Sequence, residues 1–203
     1  MPTYARETAA TLAAAVDGAS TGLKVVDYPH HEVHEGSSFH VHYQEVTANS
    51  DDDRTCIGFT TPDTAKWGHL IVSVSATHPA IAYIYEAPTI DNDAGTRKGI
   101  QNRNRNSAKD STMLSLETTP LAGKVTTFDE TEIAGAHFSG GKVIDTVLLG
   151  GGRGSRVIGG TSRGSQEWML KQNTTYVIVL ENYGANVNYH NIGLDWYEHT
   201  DVS

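Results

Sequence analysis

The sequence predicts an all-β protein, an antiparallel β-sandwich of which the jelly roll is one form, preceded by a short N-terminal helical arm. Short segments with an apolar residue at every second position recur along the chain, separated by turn residues. The composition, with 20 Gly and 38% hydrophobic residues, is typical of loop-rich β proteins. The densest strand signal lies near the C-terminus, where residues 176–180 form a continuous apolar run and Ile192, Leu194 and Trp196 share one face.

The chain begins with its one predicted helix, over residues 3–16. Leu12, Val16 and two alanines fall at the spacing i, i+3, i+4 and i+7 of a helical face. Because this apolar stripe is thin, residues 1–20 are expected to be either an arm that docks on a neighbouring chain through Leu12 and Val16 or a terminal helix lying on its own domain. Residues 21–203 are expected to form a single sandwich domain.

The remaining elements are predicted to be about eight to ten short strands. Residues 30–34 and 39–43 are expected to pair across a short turn, and residues 81–85 to return as the partner of residues 69–75. The two strands nearest the C-terminus are expected to pair and close the fold. The predicted strands are residues 23–27, 30–34, 39–43, 55–60, 69–75, 81–85, 113–117, 124–128, 176–180 and 192–197.

Charge and composition argue against several classes of protein. Proteins that bind nucleic acids or anionic membranes generally present a basic surface. Because the formal net charge of this chain is −9, neither is expected as a partner. No apolar run approaches the roughly 20 residues of a membrane span, and the N-terminus lacks the pattern of a secretory signal. Cys56 is the single cysteine, which excludes an internal disulfide framework, and we expect it in the core. These features predict synthesis in a cytoplasm.

Five of the ten histidines lie within residues 30–42, so a metal site is one hypothesis. His40 and His42 share one face of a predicted strand, and residues 36–45 resemble the first motif of cupins, whose metal site uses His-x-His and a nearby glutamate, here Glu45. The spacing from His42 to Glu45 is shorter than in cupins, and a second cupin motif is not found. The alternative is that the other face of this strand packs in the core, leaving both histidines in solvent.

Motifs for catalysis are not found in the sequence. The glycine-rich segment 150–164 has no lysine followed by a helix, which a phosphate-binding loop requires. No Gly-x-Ser-x-Gly motif occurs between a strand and a helix, where a hydrolase would place its nucleophile. The protein is therefore expected not to be an enzyme and to need no cofactor.

Residues 97–109 are the most basic stretch of this acidic chain, and we call them the ribbon. Asparagine and arginine alternate in its centre, which makes it dense in hydrogen-bond donors. Two interpretations stay open: a solvated loop, or a surface that docks on an acidic partner through bidentate arginine contacts. The cations of the ribbon are Arg97, Lys98, Arg103, Arg105 and Lys109.

Five blocks of sequence together resemble a group of tailed-bacteriophage virion structural proteins, some of which are capsid decoration (cement) or head-fibre proteins. The resemblance implies a virion component that binds the major capsid protein on the capsid surface after synthesis in the host bacterial cytoplasm. It also implies a homo-oligomer, for which the three-fold sites of capsids favour a trimer. The blocks are His30-His-Glu-Val-His-Glu-Gly36, Thr61-Pro-Asp-Thr-Ala-Lys-Trp-Gly-His-Leu70, Asn102-Arg-Asn-Arg-Asn-Ser107, Leu170-Lys-Gln-Asn-Thr-Thr-Tyr176 and Leu194-Asp-Trp-Tyr-Glu-His199.

Two alternatives to a decoration protein are retained. The chain is a tail, neck or fibre component that binds a receptor or glycan through exposed Tyr and Trp side chains, or it is a cupin-like metal-binding protein. We expect Trp168, Tyr176 and Trp196 to pack in the core and not to bind a ligand.

Overall fold

The computed structural model describes residues 28–46, 53–90, 95–130, 137–150 and 167–200. These residues contain one helix, α1 (Tyr28–His34), and thirteen strands. None of the helical residues described forms a segment long and apolar enough to span a membrane. The predicted arm with Leu12 and Val16, the predicted strand 23–27 and residues 151–164 of the glycine-rich segment lie outside the described residues.

The strands fall into three groups along the chain. Four strands precede an insertion that carries five, and four more follow it. The strands are β1 (Ser38–Val46), β2 (Arg54–Thr60), β3 (Lys66–Ala76), β4 (Ala80–Glu86), β5 (Thr89–Ile90), β6 (Thr96–Gly99), β7 (Gln101–Asn102), β8 (Lys124–Glu130), β9 (Phe138–Ser139), β10 (Lys142–Leu149), β11 (Trp168–Met169), β12 (Thr175–Asn182) and β13 (Tyr189–Thr200).

The strands form two antiparallel sheets, in the orders β11-β3-β13-β1-β7 and β10-β4-β12-β2-β8-β6, and β5 pairs with β9 separately. Strand β4 pairs with β10, β3 with β11, β2 with β12 and β1 with β13. This is the pairing of one long hairpin rolled into two sheets, which is the topology of a jelly roll. The predicted all-β antiparallel sandwich is confirmed.

The main core lies between the two sheets, where β12 and β13 occupy the central position of each. Tyr176, Ile178 and Leu180 of β12 and Leu194 and Trp196 of β13 are all buried there. The predicted packing roles of Tyr176 and Trp196 are therefore confirmed, and Trp168 packs against the same core.

A second, smaller core covers the outer face of the six-stranded sheet. Val177 and Val179 of β12 point into it, together with Cys56, Phe128 and Phe138. Because β12 has cores on both faces, its sequence is continuously apolar where a half-exposed strand would alternate. Cys56 is fully buried, as predicted.

The alternation predicted for residues 39–43 is confirmed in β1. Phe39 and Val41 are buried, and Tyr43 packs against the main core. His40 and His42 therefore lie on the outer face of the five-stranded sheet, since side chains alternate across a strand.

The prediction of a strand at residues 30–34 is wrong, because these residues belong to α1. The amide of Gly36 donates to the carbonyl of Val33, and the amide of Ser37 donates to the carbonyl of Glu32. This is a Schellman motif, and Gly36 adopts the positive φ of 71° that its C′ position requires. The glycine that was interpreted as part of a hairpin turn is in fact the end of a helix.

Three further predictions about strands are wrong. Strand β4 does not pair with β3, and β12 does not pair with β13, because the members of each pair lie in different sheets. Residues 113–117 make an isolated bridge at Leu114 instead of a strand. The described residues hold thirteen strands, above the predicted eight to ten. The strands absent from the prediction are β5, β6, β7, β9, β10 and β11.

Candidate docking surface

The ribbon lies at one edge of the sandwich. Strand β6 is the outer strand of the six-stranded sheet and pairs with β8, whereas β7 is the outer strand of the five-stranded sheet and pairs with β1. The chain from Thr96 to Asn102 therefore crosses from the edge of one sheet to the edge of the other. The whole segment belongs to the insertion between β4 and β10, so it is an addition to the eight strands of the jelly roll.

Asparagine side chains anchor the ribbon to the end of α1. The side-chain amide of Asn102 donates to the carbonyls of Gly36, at 2.8 Å, and Lys109, at 2.9 Å. The amide of Asn104 donates to the carbonyl of His34 at 2.9 Å. Because the last carbonyls of a helix have no partner within it, the bond to His34 satisfies an acceptor that would otherwise need water. The bonds of Asn102 and Asn104 also fix the backbone from which the arginines project.

Arg103 and Arg105, which each follow one of these asparagines, are exposed at the surface. The backbone amide of Arg103 is held by the carbonyl of Ser38 at 2.9 Å, and its guanidinium lies 3.6 Å from the carboxylate of Asp195. The guanidinium of Arg105 donates to the side-chain carbonyl of Gln101 at 3.0 Å. Alternation from residue 102 to 105 thus directs Asn102 and Asn104 inward and Arg103 and Arg105 outward.

The two cations at the start of the ribbon are bound more closely to the protein itself. Arg97 forms an ion pair with Glu117, with Nε 2.6 Å from the carboxylate. Burial tends to raise the pKa of Glu117, but hydrogen bonds from Ser115 and Arg97 outweigh it and hold that pKa below its ordinary value. The ammonium of Lys98 lies 5.4 Å from the centre of the Tyr43 ring, within cation–π range.

A cleft of about 180 Å³ opens between the ribbon and the loop that follows it. Arg105 and Lys109 contribute cations to its wall, and Asp110 contributes one carboxylate. The ammonium of Lys109 also donates to the carbonyl of Glu35 at 2.6 Å. The lining residues are Phe39, Ile100, Gln101, Asn102, Arg105, Ser107, Ala108, Lys109, Asp110 and Ser111.

This arrangement suits recognition of carboxylates by an ordered surface. A guanidinium binds a carboxylate through two parallel hydrogen bonds, which gives direction as well as energy. Since Asn102 and Asn104 already fix the backbone, Arg103 and Arg105 lose little chain entropy when a partner binds. The guanidinium of Arg103 makes a long ion pair, 3.6 Å from Asp195, and that of Arg105 bonds to the neutral side chain of Gln101. Arg97 instead makes a close ion pair with Glu117, at 2.6 Å. Of the predicted contact residues described, Arg103 and Arg105 can therefore exchange their contacts for a partner's carboxylate most readily.

The predicted alternative metal set of His40, His42 and Glu45 does not come together. The two imidazoles stack on the outer face of the sheet, with centroids 5.8 Å apart, and His40 Nδ1 lies 3.2 Å from Asp195. Glu45 shares the opposite face with Tyr43, whose hydroxyl donates to it at 2.7 Å. Across the described residues, no group of three or more His, Cys, Asp or Glu side chains is arranged to hold a metal.

Two arrangements were missed by sequence reasoning. The inward role of Asn102 and Asn104 depends on where α1 ends, and that end was misassigned. His69 and His199 meet on the outer face of the five-stranded sheet although 130 positions separate them in the sequence. No local spacing signals such a pair.

We find no protein-family model, curated protein or solved structure that matches this chain.

Proposed function

We propose that this chain is a bacteriophage virion structural protein, a capsid decoration protein that binds the outside of the shell and stabilises it by bridging neighbouring capsomers. The observation that carries the proposal is the anchored display of Arg103 and Arg105 by an otherwise acidic protein. The five blocks of sequence that resemble phage virion proteins support a tailed bacteriophage as the particle to which this chain belongs. The major capsid protein is the proposed partner.

The jelly roll alone does not select this function. Viral capsid domains, lectin domains and cupins all use this architecture, so only features of the surface distinguish between these functions. The ribbon belongs to the insertion and is not needed to complete the eight-stranded roll. A surface added at a sheet edge, with its arginines held in place, favours docking on another protein.

We propose that the protein stabilises the shell by burying interface area, and that this contact is repeated over many copies. A standard protein interface buries about 1,600 Å² in total. Each guanidinium that meets a carboxylate of the shell fixes the register of this contact, while neighbouring copies gain avidity because one shell holds them together. A homo-oligomer, with a trimer at the three-fold sites, would place several ribbons on the shell at once.

The test is binding of the purified chain to emptied shells of the virus that encodes it, measured by co-sedimentation. Arg105→Glu and Lys142→Glu reverse one exposed cation each, and Lys142 lies on β10 at the edge of the six-stranded sheet away from β6. We expect Arg105→Glu, and more strongly Arg103→Glu with Arg105→Glu, to weaken binding about tenfold or more, since a repelled charge replaces a paired one. Lys142→Glu should bind like the wild type.

Equal binding by the double variant and the wild type would refute docking through the ribbon.

The arm is tested separately by removing residues 1–20, which should weaken shell binding and leave the fold intact if Leu12 and Val16 dock on a neighbour. Because surface charge pairs are screened by salt, ribbon-dependent binding should also weaken as salt is raised.

A second candidate function rests on exposed aromatic side chains. Tyr183 and Tyr189 flank the loop between β12 and β13 and are 62% and 51% exposed. Tyrosine rings displayed in this way can stack on sugars, as a tail, neck or fibre component would require of a glycan receptor site. Binding of the isolated protein on a glycan array, lost in Tyr183→Ala and Tyr189→Ala, would favour this candidate over decoration.

A further inference from the structure

Two histidine rings meet on the outer face of the five-stranded sheet. His69 of β3 is the cross-strand partner of Tyr197 of β13, and His199 lies two residues further along on the same face. The rings of His69 and Tyr197 stack with centroids 4.5 Å apart. The Nε2 atoms of the two histidines lie 2.7 Å apart.

The hydrogen-bond partner of His199 identifies its tautomer. Its Nδ1 lies 2.9 Å from the carbonyl oxygen of Thr200. A carbonyl oxygen only accepts hydrogen bonds, so Nδ1 carries the hydrogen and donates it. In the neutral ring, Nε2 of His199 therefore presents a lone pair towards His69.

The surroundings of His69 are compatible with the same arrangement. Its Nδ1 lies 3.1 Å from the hydroxyl of Tyr197 and 3.5 Å from the carboxylate of Glu167. When the single hydrogen of the Tyr197 hydroxyl goes to that carboxylate, at 3.3 Å, its oxygen accepts from Nδ1 of His69. In the neutral ring, Nε2 of His69 is then also a lone pair. Two lone pairs cannot face each other at this distance unless a cation, either a proton or a metal ion, is shared between them.

The charges around the pair favour a cation there. The carboxylate of Glu167 lies 3.5 Å from Nδ1 of His69. Neutral imidazole is the form that binds metals. Glu32, buried near His69, adds a second negative charge that favours a cation at this place.

The Nδ1 atoms, which face away from the shared contact, also have the hydrogen-bond partners typical of metal-binding histidines. Such histidines donate the second ring N–H to a carboxylate, hydroxyl or backbone carbonyl, which fixes the tautomer and orients the ring. Here the Tyr197 hydroxyl, backed by Glu167, and the Thr200 carbonyl serve in those positions. Metal–nitrogen bonds of about 2.0–2.1 Å in tetrahedral geometry would separate the two nitrogens to about 3.3 Å, so the rings need to part by only about 0.6 Å.

We propose that His69 and His199 form a two-histidine site for a divalent transition metal ion such as Zn²⁺ or Cu²⁺. Both histidines bind the metal ion through Nε2, and water or a side chain of another molecule completes the coordination. This choice of metals follows from imidazole ligands, which suit zinc and copper better than calcium or magnesium. The site would tie β3 to β13 at the surface, and it does not depend on the docking function of the ribbon.

The experiment uses the full-length protein and copper(II) alone, with bound metal counted after dialysis and the copper spectrum recorded by electron paramagnetic resonance. His69→Gln and His199→Gln should each bind one copper ion fewer per chain than the wild type. His40→Gln and His42→Gln, on the same face of the same sheet, are the matched controls and should bind as many as the wild type. Copper held by other histidines is common to all variants and cancels in the comparison.

A second measurement needs no variant and covers the case in which a substitution impairs folding. Nitrogen NMR of the wild-type histidine rings during a zinc titration should show large shifts of Nε2 in His69 and His199, and none at His40 or His42. The proposal is overturned if the two variants and the wild type bind equal amounts of copper, or if zinc leaves the ring nitrogens of His69 and His199 unchanged. Either result would mean that the pair is joined by a proton alone.

Discussion

A histidine sealed in the core makes the stability of this protein depend on pH. His190 of β13 is fully buried, and its Nδ1 lies 3.0 Å from the hydroxyl of Thr55. Its Nε2 has no hydrogen-bond partner among the described residues. Burial lowers the pKa of His190 from its ordinary 6.5 to about 4, because the imidazolium form would lose its hydration without gaining a counter-charge.

The sign of the effect follows from which state binds the proton first. Since the unfolded chain takes up a proton near pH 6.5 and the folded chain only near pH 4, the stabilisation is complete above pH 6.5 and is lost as the pH falls towards 4. At about 1.4 kcal/mol for each tenfold change in proton affinity, this difference amounts to about 3 kcal/mol. Below pH 4 both states are protonated and His190 causes no further loss.

The perturbation that tests this reasoning is His190→Asn, which keeps a polar atom near Thr55 but cannot take up a proton. Urea unfolding followed by tryptophan fluorescence at pH 7.5 and pH 4 gives the free energy of unfolding of both proteins. Carboxylates contribute to the pH dependence of both, so the difference between wild type and variant isolates His190. The wild type should lose about 3 kcal/mol more than the variant over this range. Equal losses would refute a neutral, buried His190.

Two further predictions concern the core and are checked by the same unfolding assay. Leu194→Ala should reduce the free energy of unfolding by about 2–5 kcal/mol, because Leu194 is fully buried between the sheets and its removal leaves a cavity; a loss below about 1 kcal/mol would contradict the packing described. Glu198→Gln should cost about 2 kcal/mol or more, because the buried carboxylate accepts hydrogen bonds from Ser111, Thr112 and Trp196, and an amide nitrogen would face some of these donors. A Glu198→Gln variant as stable as the wild type would show that these bonds are not needed.

The sequence predicts the strands well wherever the pattern is local. Alternation in β1 and β13 follows from one buried face, and the continuous run in β12 follows from two. Partner choice is not local, because a jelly roll pairs β1 with β13 across almost the whole chain. Adjacent strong strands such as β12 and β13 were therefore assigned to one sheet when they belong to two.

The candidate surface is predictable only in part for the same reason. The density of arginine and asparagine in the ribbon is visible in the sequence. That Asn104 points inward and Arg105 outward depends on where α1 ends. That end has a local signal in Gly36, but the neighbouring histidines suggested a hairpin. The meeting of His69 and His199 depends on the register of β3 against β13, which no short-range pattern specifies.

We propose that this chain decorates a phage capsid through its ribbon. Electron cryomicroscopy of the virion tests this proposal most directly, because the jelly roll can be located in the density and its contacts identified. We expect copies of the fold on the outside of the shell, with Arg103 and Arg105 facing carboxylates of the major capsid protein. Density for the fold at the tail, neck or fibre, or on the capsid with the ribbon facing solvent, would contradict it.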